Sequence, residues 1–402
     1  MKRVVMICCC MLAVLMCFGQ RKEISKAKTL LKSTKESDFQ QAERLMTDLL
    51  AKDTANRSNI KIYATWYDAV TKQYEAANEK LYLRQKYDTT AFFSLVRRMY
   101  DVGQALDSLD ARPGKKGRVR PGYRKSHAEF LDKLRSNLWY GGTYQLRKSH
   151  YEEAYGFFEA YIGSDRQPLF TGYDYLHTDS LLPQVAYWAT YSAYRQHRAD
   201  SVLRYHMLAL QDTIHREFTL QYICEAYQQK GDHTSYVSTL KQGFEDYPEH
   251  HYFFPRLADY YTSVGCYDSV LVVADKGLAC YPNNQLFLLA RSVAQLNLKR
   301  YDECLQTSER LLALNDSMPE PYFNMSTVYL NRALELEQRN EPRKFKKQLT
   351  QLYQQALPYI ETYRKLAPDD KRRWAPALYR VYLNLNKGKQ FDEIDRILRN
   401  RE

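Results

Sequence analysis

Glycine and proline are scarce in this 402-residue sequence, at 15 and 13 residues, which argues against a disordered or low-complexity chain. The signatures of catalysis are missing as well. There is no glycine-rich phosphate loop, no nucleophile elbow and no acid pair of defined geometry, so no enzyme is expected. His150 with Glu153 does not make the HExxH arrangement that sets two imidazoles on one helix face, and His250 and His251 read as solvated turn residues after Pro248. Of the eight cysteines, four fall in the first twenty residues, leaving Cys224, Cys266, Cys280 and Cys304. None has the paired spacing or neighbouring His of a metal site, so neither metal nor cofactor is expected. Cys266 and Cys280 bracket one helix and would stand ~18 Å apart, far beyond the ~7 Å that a disulfide spans. Cys224 and Cys304 read as small buried fillers.

Long apolar runs are also lacking, except at the start. The first twenty residues, MKRVVMICCCMLAVLMCFGQ, carry Lys2 and Arg3, then an apolar stretch from Val4 to Phe18, then Gly19. This reads as a secretory signal over 1–19 with cleavage after Gly19, since the stretch is shorter than the roughly 20 residues that span a bilayer. A lipoprotein modified at Cys17 is the lesser reading, because Met16 is too large for the residue before a lipidated cysteine. The mature chain is expected to carry no transmembrane segment and to work in the periplasm or at the outer envelope surface. Without Lys2 and Arg3 its 57 basic residues outnumber 47 acidic ones, a balance of +10. Such a charge favours acidic proteins, polyanionic glycans or anionic lipid surfaces, and export disfavours nucleic acid.

What the sequence does have is a period. At one constant offset, the step from Leu220 to Phe254, columns of like residues align: Leu220, Phe254, Leu288 and Tyr322 below Ala186; Ala189, Ile223, Leu257 and Met325, broken by Arg291; Thr190, Cys224, Ala258, Ser292 and Ser326; and Tyr227, Tyr261 and Tyr329, with Ala193 and Gln295 as departures. The columns are separated by the three-, four- and seven-residue steps of one amphipathic helix face. Gly231 and Gly265 mark its end, and a second helix opens with Asp200, Asp268 or Asp302 in its first turn. Small residues at Ala209, Gly243 and Gly277 predict close approach of neighbouring backbones, and Pro248, Pro282 and Pro368 stop the second helix. The run NLWYGGTYQLRKSHYEEAYGFFEAYI, residues 137–162, repeats the same logic more loosely.

This pattern resembles the tetratricopeptide repeat, a helix-turn-helix unit of about 34 residues, in the manner of exported envelope proteins of Gram-negative bacteria. The resemblance implies an all-α fold, a right-handed superhelical solenoid of antiparallel helix pairs. Units begin at Pro183, Glu217, His251, Gln285, Pro319 and Lys371. The expected organisation is a signal over 1–19, degenerate helical pairs over 20–111, a basic loop over 112–124, one pair with its connecting loop over 125–182, four regular units over 183–318, and C-terminal units with lengthened helices over 319–402. The basic loop contains Arg112, Lys115, Lys116, Arg118 and Arg120. Aromatic residues in the 164–182 connection are expected to pack on the array.

The resemblance also implies that the first helix of each pair lines a concave surface. The positions between core columns are Tyr187, Tyr191, Tyr194 and Arg195; Gln221, Glu225 and Gln228; Asp259; Phe323 and Asn331; and Tyr379 and Tyr382. Gln221 and Glu225 stand where some family members clamp a terminal carboxylate with Lys and Asn, which disfavours that ligand. The expected function is a non-catalytic scaffold that binds another protein or an extended peptide through a Tyr-rich groove. Packing of these tyrosines between repeats is the competing reading. A glycan-binding envelope protein using surface aromatics and the basic loop is the alternative function. Asp-Ser and Asp-Thr pairs such as Asp53-Thr54 and Asp179-Ser180 resemble O-glycosylation acceptors of some secreted bacterial proteins, but capping is the stronger reading, since Asp200 and Asp268 stand at helix starts.

Overall fold

The computed structural model describes residues 20–113, 119–339 and 342–399. The expected signal, the Cys17 alternative, and Lys115, Lys116 and Arg118 of the basic loop lie outside the described residues. All regular structure among the described residues is helical: α1 (20–30), α2 (Glu36–Lys52), α3 (Ile60–Tyr82), α4 (Thr89–Asp110), α5 (Arg124–Arg147), α6 (Tyr151–Gly163), the single turn α7 (Tyr175–Thr178), α8 (Leu182–Arg195), α9 (Ala199–Arg204), α10 (His206–Ala209), α11 (Arg216–Lys230), α12 (His233–Asp246), α13 (Phe253–Ser263), α14 (Tyr267–Cys280), α15 (Gln285–Asn297), α16 (Tyr301–Leu314), α17 (Pro319–Glu337), α18 (Pro342–Leu366), α19 (Lys371–Asn384) and α20 (Gly388–Arg399). They fall into two compact units, one through Thr239 and one from Leu240, and the division lies within α12.

In each unit consecutive helices pack as antiparallel pairs whose apolar stripes face their neighbours in the chain. In unit one an apolar cluster runs from Tyr67 on α3 to Ala226 on α11, while α1 to α3 share another around Ala27, Ala42, Met46 and Ile62. Unit two includes clusters such as Val270, Leu271 and Ala294, or Ile360, Trp374 and Leu378, and the packed rings of Phe244, Phe254 and Phe287. The periodic columns are the core: Leu220, Ile223, Phe254, Leu257, Leu288, Ser292, Met325 and Ser326 are buried. The departures are accommodated locally. Arg291 pairs with Asp275 at 3.1 Å, and buried Gln295 accepts the Thr307 hydroxyl at 2.8 Å. Helices α17 and α18 run to 19 and 25 residues, against 13 and 14 for α15 and α16, so the inserted residues extend a helix pair.

The helix ends show a regularity that residue identity hides. His197, Gly231, Gly265 and Lys299, each one period from the next, all have left-handed φ, at 55°, 70°, 73° and 59°. The turn geometry therefore recurs whether or not a glycine is present to adopt it without strain. The first-turn aspartates do not cap their helices. Asp302 instead pairs with Arg332 of the next repeat at 2.8 Å, Asp268 lies 3.6 Å from Arg300, and Asp200 pairs with Lys230.

The expectation that small residues admit a neighbouring backbone needs correcting, because the space is taken by phenylalanine rings. A Cβ built on Gly277 would stand 2.7 Å from Cδ2 of Phe287, and Gly243 faces Phe253 in the same way. Gly141 and Gly142 face Phe157 and Phe158 on α6.

The 164–182 connection is bound to unit one through one buried cation. Arg135 of α5 lies between the rings of Tyr161 and Tyr175, 3.7 and 3.9 Å from their centroids. It donates to Ser164 Oγ at 3.0 Å and to Asp179 Oδ2 at 2.5 Å. Leu169, Phe170 and Tyr175 are buried, so this aromatic connection forms part of the core.

Candidate functional site

The aromatic positions of α8 recur at steps of four and three along one helix face, which sets Tyr187, Tyr191 and Tyr194 in a row. The structure separates them by depth. Tyr187 is buried, stacked 4.1 Å from the His215 ring, and its hydroxyl is hydrogen-bonded to that of Tyr222. As a binding residue it is withdrawn, because the register of α11 lays His215 and Tyr222 over it. Tyr191 and Tyr194 remain half-buried. Tyr194 stacks on Tyr222 at 4.3 Å, and Tyr191 meets Tyr151 edge-on at 6.1 Å. Exposed Arg195 closes the row: its guanidinium sits 4.6 Å over Tyr151 and donates to the Tyr191 hydroxyl at 2.7 Å.

Beside this row a cavity of about 280 Å³ opens between α8, α9 and α11, with Tyr194, Tyr222 and Val202 as walls and His197, Arg198, Glu225 and Gln228 around it. Glu225 accepts from Gln221 Nε2 at 3.1 Å and from the Tyr194 hydroxyl. Burial, then the Glu225 charge, pushes the Tyr194 phenol above its ordinary value, so it stays a hydrogen-bond donor at neutral pH. Flat rings, one carboxylate, two guanidiniums and exposed amides thus converge within one unit. Tyr151, Trp188, His197, Arg198, His215 and Tyr222 were not singled out as site residues. Tyr222 lies one repeat beyond Trp188, so carrying the aromatic row a period forward would have found it.

The candidates in unit two are mostly packed. Tyr382 is buried and donates to Glu361 at 2.9 Å, so it too is withdrawn. Phe323 lies under the Arg373 guanidinium at 3.9 Å, and Tyr379 packs on Phe391 at 4.7 Å. Asn331 is half-buried, next to the Tyr301 hydroxyl, and Asp259 is exposed on α13. Of the basic loop, Arg112 and Arg120 are described, and both are exposed.

Antiparallel helix pairs, one recurring register and left-handed closing turns on that register decide the architecture. The fold is of the tetratricopeptide kind. No family model matches the chain, and no curated protein matches it. Among solved structures, the C-terminal part of a TPR repeat-containing protein from Cytophaga hutchinsonii aligns over 64% of this chain and 92% of its own, at 12% identity and a TM-score of 0.42. MamA of AMB-1 aligns over 48% and 94%, at 17% identity and a TM-score of 0.33. Yeast Tom70 aligns over 93% and 90%, at 11% and 0.33. These tetratricopeptide-type likenesses are too distant to bear on function.

Proposed function

We propose that this protein is a non-catalytic scaffold, working in the periplasm or at the cell envelope, that holds an extended segment of a partner protein on the Tyr191–Tyr194–Arg195 row. The observation that carries this reading is the Tyr194–Tyr222 stack forming one wall of an open cavity with Glu225 and Gln228 at hand. Rings supply rigid contact area at small entropic cost, while the amides, carboxylate and guanidiniums are spaced to meet a peptide backbone and its polar side chains. The helix pairs hold these groups in place before any partner arrives, so binding needs no refolding. Glycan binding lacks comparable support: beside the basic loop Tyr123 is 40% exposed but stacked on His127, with no second exposed ring parallel to it among the described residues.

The test places a photo-crosslinking residue at Gln228, on the cavity rim, and at Met207, 68% exposed on α10, in the native cell. The expected result is a discrete protein adduct at 228 that is absent at 207. In purified form its affinity should fall by roughly 10- to 100-fold on Tyr194→Ala. Equal adducts at both positions, or an unchanged affinity in the variant, would refute the reading.

A further inference from the structure

One end of unit one gathers the start of α1, the α2–α3 turn and the α4–α5 loop. Asn59 Nδ2 donates to Gln20 Oε1 at 3.3 Å, Tyr67 of α3 stacks 4.0 Å from His127 of α5, and Tyr123 N donates to Asp110 at 3.0 Å. Those ties bring together Arg21, Lys52, Arg57, Lys61, Arg120 and Lys125, all exposed. Three of the carboxylates at this end are engaged within the fold. Asp53 accepts from Ala55 N at 2.9 Å, Asp107 is held by Arg124 at 2.8 Å, and Asp110 takes the Tyr123 amide. Among the described residues, none of the six cations is ion-paired. At the opposite end of the unit, by contrast, Glu36, Asp88, Glu152 and Asp200 lie among the cations.

We infer that this end of unit one docks on an anionic lipid surface. Lone charges contributed by three separate elements suit a fluid sheet of headgroups, which adjusts to their spacing. Each Lys or Arg close to such a surface strengthens partition about fivefold, within a Debye length of about 8 Å at physiological salt. Docking there would leave the Tyr191–Tyr194–Arg195 row, at the far ends of α5 and α8, clear of the lipid. The inference does not depend on what that row binds.

The test mixes the chain, as processed by its own cell, with vesicles of phosphatidylcholine alone or with about 30 mol% phosphatidylglycerol, and reads co-sedimentation. Binding is expected to the anionic vesicles only. It should fall at least about 100-fold in Lys52→Glu/Arg57→Glu/Lys61→Glu, and be lost at about 0.5 M salt. The charge-matched control Arg84→Glu/Lys86→Glu/Arg147→Glu, at the opposite end, should bind within a few-fold of the parent. All six positions are exposed, so both variants should fold, which circular dichroism checks. Equal losses in the two variants, salt-insensitive binding, or binding to a sulfated glycan by the same residues without binding to vesicles would each overturn the inference.

Discussion

Gly277 offers the sharpest quantitative test of how neighbouring repeats are held. An alanine Cβ there would stand 2.7 Å from Cδ2 and Cε2 of Phe287 and 2.9 Å from Cζ. Unstrained carbon contacts lie at ~3.5–4.0 Å, so the ring would have to withdraw by about 1 Å. It has nowhere to go: Phe287 is 1% exposed, with the Phe254 ring edge-on at 4.5 Å and Phe244 at 6.1 Å. Overpacking of this kind costs about 1–3 kcal/mol, and the helix preference of alanine over glycine returns up to about 1 kcal/mol. Gly277→Ala should therefore destabilise unit two by about 1–2 kcal/mol. Phe287→Leu empties the space and costs about 1–2 kcal/mol by itself. In that background Gly277→Ala should be neutral or stabilising by up to about 1 kcal/mol, a coupling of about 1–3 kcal/mol. Hydrogen exchange at the amides of α14 and α15 reports this locally, which matters because a repeat array need not unfold as one step. An equal penalty for Gly277→Ala in both backgrounds would refute the steric account.

The closing turns predict two substitutions of opposite sign. Gly265→Ala should cost about 1 kcal/mol, while Lys299→Gly should stabilise by a few tenths to about 1 kcal/mol, both read from the thermal midpoint of the full chain. Unit one should also lose stability in mild acid. Burial against Tyr67 lowers the His127 pKa below its ordinary 6.5, with Asp107 and Asp110 opposing the shift only in part. Between the two values the unfolded chain binds the proton and the folded one does not, so the stability is fully present above about 6.5 and drains away as pH falls through the lowered value. His127→Gln should flatten that dependence in melts recorded on either side of pH 6.5, and an unchanged slope would exclude His127 as its source.

The helix-pair architecture was legible because burial imposes period: a core face that recurs once in every repeat leaves Leu220, Phe254 and Leu288 in one column whatever surrounds them. The candidate site was only partly legible. Helical spacing put Tyr187, Tyr191 and Tyr194 on one face, but nothing along α8 says that His215 and Tyr222 cover the first and leave the others open. That depends on where α11 lies, which is information from another element. Tyr382 fails as a candidate for the same reason, since its burial depends on the reach of Glu361 from α18. The left-handed turns at His197 and Lys299 escaped notice because a sequence shows glycine, whereas the fold enforces a backbone angle and tolerates the side chain.

The ring seated over each glycine has an evolutionary consequence. Ten residues separate Gly243 from Phe253 and Gly277 from Phe287, and at the same offset stand Ala209 with Thr219 and Leu311 with Pro321. Bulk on one side is answered by its lack on the other. Duplicating or transposing a module at these junctions would seat a phenylalanine against a leucine, or leave a threonine facing a bare backbone. The modules are thus individually keyed, and their order along the chain is part of what selection has to preserve.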